Sequence, residues 1–142
     1  MTSLSASDIH NISLSAEIPK ETKIGNPVNL KITVKNSGTE SVYLTQTRGI
    51  TYLGLFVNND LGEPTKLTPK GVNEVNLDKN RILHSRTSQE IAGGGQSEFK
   101  IDLNDYYSFV QNNYSARITL QFNEPAMAFD VDLKDIKFRI VP

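Results

Sequence analysis

The run Val28-Asn29-Leu30-Lys31-Ile32-Thr33-Val34-Lys35 decides the fold class. Val28, Leu30, Ile32 and Val34 alternate with Asn29, Lys31, Thr33 and Lys35, a period of two that turns one face to a core and the other to water. Three of the four apolar residues are β-branched, as a pleated surface prefers. Asn36-Ser37-Gly38-Thr39 then ends the strand with residue types that accept the dihedrals of a tight reversal.

The alternation returns on both sides of this run. Ile12, Leu14, Ala16 and Ile18 face one way and Asn11, Ser13, Ser15 and Glu17 the other, which predicts a strand over 10–18 that Pro19 stops. Its small, hydroxyl-rich polar face suits a sheet edge. Val42 and Leu44 mark a third strand, and the apolar run 50–57 a fourth. Gly54 in its centre signals a bulge or a close backbone approach. Phe99, Ile101 and Leu103 share a face, as do Tyr114, Ala116, Ile118, Leu120 and Phe122. In the last strand Ile136, Phe138 and Ile140 point inward, while Lys137 and Arg139 read as a solvated face.

Residues 60–95 are irregular, with Pro64, Pro69, Gly71 and the triplet Gly93-Gly94-Gly95. Short strands near 72–77 and 89–92, or a short helical turn, are expected there, because a structureless loop of that length is unusual in a domain. No window keeps a helical period. The segment 124–133 reads equally as a short helix or an extended crossover, and residues 1–9 are expected to be disordered. The pattern predicts one all-β domain over 1–142, an immunoglobulin-like β-sandwich of seven to eight mainly antiparallel strands.

Composition narrows the function classes. Fifteen Lys and Arg stand against sixteen Asp and Glu, so the formal charge is -1 and nothing favours wrapping a nucleic acid or lying on an anionic membrane. Absence of cysteine removes disulfides, thiol catalysis and thiolate metal sites. The N-terminal MTSLSASDIHNISLSAEIP lacks a basic region and a continuous apolar core, so it does not read as a signal peptide. The compartment stays open: secreted or periplasmic if a leader has been removed, cytoplasmic otherwise.

Asp102-Leu103-Asn104-Asp105-Tyr106-Tyr107, followed by Tyr114-Ser115-Ala116-Arg117-Ile118, carries a resemblance. Asp-Leu, two spacers, Tyr-Tyr, a short loop, then Tyr opening an alternating strand resembles the β-sandwich prodomain of deuterolysin-like zinc metallopeptidases. The strand Val28–Val34, the turn Asn36–Thr39 and the glycines Gly93–Gly95 extend it over residues 12–122. That family commonly has Gly before the second Tyr, where this chain has Asn112-Asn113. A weaker similarity runs to small bacterial intracellular proteinase inhibitors. The peptidase half is missing, with no His-Glu-x-x-His and only His10 and His84 in the chain. The resemblance therefore implies a prodomain-like or inhibitor-like module without proteolytic activity.

Residue by residue, the candidates divide into structural and binding roles. Tyr107 and Tyr114 are assigned to structure, each able to bury its ring and hydrogen-bond backbone across a sandwich corner. Gly93–Gly95 lacks the Lys and hydroxyl residue of a phosphate loop and reads as a flexible turn. Asp102, Asp105, Asp130, Asp132 and Asp135 are oxygen ligands in kind, but they follow no calcium-loop spacing, and no metal or cofactor is assigned. Arg48 and Tyr52, in 48–53, and Arg81, His84 and Arg86, in 80–86, form the expected partner-binding set, since Arg and Tyr combine contact area with directed hydrogen bonds. The reading is a non-catalytic protein-binding module, an inhibitor or prodomain-like chaperone of a peptidase. It carries an expected weak homodimer through an edge strand, no nucleic acid and no membrane insertion. Two alternatives stay open: a structural or adhesive module of a secreted or surface assembly, and a small hydrolase, which would need paired acids in a cleft or His84 beside a serine.

Overall fold

The computed structural model describes residues 2–46, 54–80, 87–124 and 127–142. In chain order its elements are β1 (Thr2–Ile9), β2 (Ile12–Pro19), β3 (Glu21–Lys23), β4 (Asn29–Asn36), β5 (Val42–Gln46), β6 (Phe56–Asn59), α1 (Pro69–Asn80), β7 (Thr87–Ile91), β8 (Gln96–Asp102), β9 (Asn112–Glu124) and β10 (Met127–Val141). The fold is predominantly β and mostly antiparallel, in two sheets. One sheet has the order β1-β2-β4-β8; the other has β3-β10-β9-β5-β7, with β6 also on β9.

The N-terminus corrects two expectations. Residues 2–9, expected to be disordered, form β1, which pairs with β2 along its whole length from Thr2 opposite Pro19 to Ile9 opposite Ile12. The predicted strand start at residue 10 is instead the turn. His10 and Asn11 have φ of 49° and 63°, the positive pair that a two-residue type I′ hairpin requires and that Asn and His accept better than most residues.

In the second sheet β3 runs parallel to the end of β10, with Arg139 opposite Glu21. β5 and β6 share one edge of β9: β5 sits opposite Phe122 and Asn123, and β6 opposite Tyr114 to Arg117. The ambiguous segment 124–133 is extended from Met127 onward and continues to Val141 as β10. A register shift lies between Leu133 and Ile136, where Asp135 takes φ 57°. With β1, β3 and β7 counted, the described residues hold ten strands rather than seven or eight.

Of the short strand or helical turn expected near 72–77, the structure forms the helical alternative, longer than a single turn, as helix α1. Thr68 caps it, its Oγ1 accepting from the Gly71 N–H at 3.1 Å, and Pro69 begins it with a φ already suited to a first turn. Its sequence, PKGVNEVNLDKN, is largely polar, so no apolar stripe announced it.

Apolar faces of both sheets meet in one core. Ile12, Leu14, Leu30 and Ile32 come from the first sheet and Leu44, Ile118, Leu120 and Phe122 from the second, all at 0% exposure. Gly54 lies against the Thr119 carbonyl, the close approach that its place in an apolar run signalled; a Cβ there would stand 2.5 Å from that oxygen. Gly93–Gly95 is not a loose turn. A Cβ on Gly93 would meet the Thr39 backbone at 2.5 Å, while Gly94 N–H donates to Asn36 O at 2.8 Å and Asn36 N–H to Gly95 O at 2.9 Å. The buried Asn36 side chain completes the fastening, Nδ2 donating to the carbonyls of Glu40 (2.8 Å) and Ile91 (3.0 Å) and Oδ1 accepting from Gly38 N–H at 3.0 Å.

Candidate binding surface

Of the residues that carry the sequence motif, Leu103, Tyr107, Tyr114, Ala116 and Ile118 are buried in the core. Asp102 Oδ1 accepts from Val28 N–H at 2.9 Å and Asn104 N–H at 3.0 Å, which caps a single 3-10 turn over Leu103–Asp105. Tyr107 is buried and donates to Leu55 O at 3.3 Å; burial pushes its phenol up from 10.0 to about 12. Tyr114 is buried at the start of β9, its hydroxyl donating to Val110 O at 2.9 Å and accepting from Val110 N–H at 3.1 Å. Its ring stacks on Phe138 at 5.5 Å, and Phe109 stands edge-on to both. Both hydroxyls are bonded to backbone.

Arg48, Tyr52, Arg81, His84 and Arg86 all lie outside the described residues. The strands that carry their segments are described, and they converge. Gln46, the last residue of β5, pairs with Thr87, the first of β7. Residue 47 therefore follows, and residue 86 precedes, the two members of one described strand pair. Segments 47–53 and 81–86 hold Arg48, Arg81, Arg86 and His84 and no carboxylate. Tyr43, which is exposed, and Glu90 stand opposite one another on the same strand pair, three places further in.

A second feature escaped the sequence. The outward residues of β3, β10, β9 and β6 line an open groove of about 870 Å³, with Lys20 and Glu21 on one side, the turn Asn59–Gly62 on the other, and Asn113, Ser115, Lys137 and Arg139 as its floor. The residues read as a solvated face thus belong to a shaped surface. Lys137 lies opposite Ser115, which in turn lies opposite Asn58; Arg139 is ion-paired with Glu21. Its parts are more than a hundred residues apart in the chain, so only the pairing register could have gathered them.

The remaining acids are dispersed. Asp132 accepts from Thr119 Oγ1 at 2.5 Å and lies 4.0 Å from Arg117; Asp105 lies 3.9 Å from Lys70. Among the described residues no group of three or more His, Cys, Asp or Glu side chains is placed to hold a metal, and no helix is long and apolar enough to cross a membrane.

No protein-family model and no curated protein sequence matches the chain. Among solved structures, the C-terminal domain of wzt is similar, with a TM-score of 0.51 at 9% sequence identity, over 99% of this chain and 78% of that one. At that identity the likeness is one of fold. It joins this chain to a class of two-sheet β domains and says nothing of its ligand.

Proposed function

We propose that this chain is a non-catalytic protein-binding module on an immunoglobulin-like sandwich, and that its partner is a peptidase which it inhibits or chaperones. The sandwich reading is supported by the chain's passage between sheets: β2 lies between β1 and β4 in the first sheet, and after Pro19 the chain continues as β3, parallel to β10 in the other sheet. The Tyr114 hydroxyl, turned back on the Val110 backbone at the start of a late strand, belongs to the same architecture.

The observation that carries the binding reading is the pairing of Gln46 with Thr87. It brings together the described strand ends from which the two Arg-bearing, carboxylate-free segments run, a composition suited to a partner face that presents carboxylates. The peptidase identity rests on the prodomain resemblance. The test is enrichment from extract and culture fluid of the source organism on the immobilised chain, beside a variant with Arg48, Tyr52, Arg81 and Arg86 replaced by Ala. A peptidase retained by the parent and lost by the variant is expected, with its activity changed on adding the soluble chain. Equal retention by both proteins would contradict the assignment.

A further inference from the structure

We propose that two copies of this chain pair along β8, antiparallel and centred on Phe99, so that the four-stranded sheet runs on into that of its copy. β8 ends this sheet, and among the described residues no strand lies beyond it. The edge is separate from the β5–β7 corner, which belongs to the other sheet.

Backbone geometry makes the edge a template. Leu103 N–H donates to Val28 O and Asn36 N–H to Gly95 O, both at 2.9 Å. Between these two points, alternation turns the N–H and C=O of Ser97, Phe99 and Ile101 toward β4, and those of Gln96, Glu98, Lys100 and Asp102 away from it. Such a row of outward donors and acceptors is what an added strand pairs with. Phe99 and Ile101 pack on the core but are only partly buried, so an added strand also covers apolar surface.

Charge selects the occupant and the register. An antiparallel neighbour sets outward residues opposite outward residues. With Phe99 opposite itself on a two-fold axis, Glu98 of each copy stands opposite Lys100 of the other, and Gln96 opposite Asp102. The next register on one side sets Glu98 opposite Glu98. On the other side it sets Lys100 opposite Lys100 and Glu98 opposite Asp102, so like charge disfavours both. Within its own chain Lys100 is exposed, stands opposite Lys31 and joins no ion pair among the described residues, while Glu98 lies 3.3 Å from Lys31. Glu98 of the second copy supplies the anion that this pair of lysines leaves Lys100 without. One edge both gives and receives these contacts, which closes the assembly at two copies.

Sedimentation velocity of the full chain over a concentration series tests this. The parent is expected to dimerise reversibly. Glu98→Lys and Lys100→Glu each set like charges at both contacts and weaken the dimer by roughly 10-fold or more. The double variant carrying both substitutions restores it, because the swapped pair is attractive again. The chain has no cysteine, so one introduced thiol reports the register. Phe99→Cys cross-links to its copy under mild oxidation, whereas Ser97→Cys, which falls opposite Ile101, does not. Unchanged circular dichroism verifies the folding of each variant. A parent that stays monomeric to millimolar concentration overturns the proposal. So does a dimer indifferent to both charge reversals, a double variant without rescue, or cross-linking at Ser97→Cys as ready as at Phe99→Cys.

Discussion

Tyr107 shows how one buried hydroxyl links packing to a measurable pH dependence. Its ring belongs to the core and its oxygen reaches Leu55 O, so ionisation would leave a charge in an apolar site. The folded phenol therefore titrates at about 12 rather than 10.0. Because the folded value is the higher one, this stabilisation is complete below pH 10 and is lost as pH rises toward 12. The loss amounts to roughly 2–3 kcal/mol. Urea unfolding at pH 9 and near pH 11.5 should show Tyr107→Phe less stable than the parent at the lower pH, by about 1 kcal/mol for the missing hydrogen bond. The gap should close or reverse at the higher pH, where the variant has no phenol to ionise. A gap that stays constant between the two would mean that Tyr107 ionises as freely in the fold as in the unfolded chain.

Elements were legible where one face met the core and the other met water. The strands around Leu30, Leu44, Ile118 and Ile140 could be read directly, because alternation is the physical consequence of being half-buried. Helix α1 could not, since its stability comes from the Thr68 cap and its docking beside Tyr106 rather than from an apolar stripe. β1 was missed because its partner is reached through His10-Asn11, a reversal with neither Gly nor Pro to announce it. The triple glycine forms the turn its composition announced, but not the contact within it: Gly93 packs on the Thr39 backbone, where a Cβ would not fit. Asn36 is the fastening between these connections, and it is the residue to remove. Asn36→Ala leaves the Glu40 and Ile91 carbonyls without their donor and should lower stability by about 2–4 kcal/mol, read as a fall in the urea midpoint. Lys35→Ala, exposed on the neighbouring position, should change it little. Equal midpoints for Asn36→Ala and the parent would show that the turns hold without it.

At the scale of the whole molecule, two sheets share one core and the proposed recognition chemistry falls at its margins. The chain is nearly neutral, with Arg48, Arg81 and Arg86 in the two segments that run from the Gln46–Thr87 pair and Asp60 and Glu63 at the turn after β6. The sequence could mark the first by composition, because Arg with Tyr and no carboxylate is a local signal. It could not mark the groove, whose walls are brought together by β3, β6, β9 and β10 across the length of the fold. A protein partner bound at the corner covers both arginine segments. Hydrogen–deuterium exchange of the chain with and without its captured partner decides whether it does: slowed exchange is expected in peptides covering 46–54 and 80–87, with the outer face of β10 unchanged. Protection confined to β10 and the Asn59–Gly62 turn, with both arginine segments exchanging as before, would contradict it.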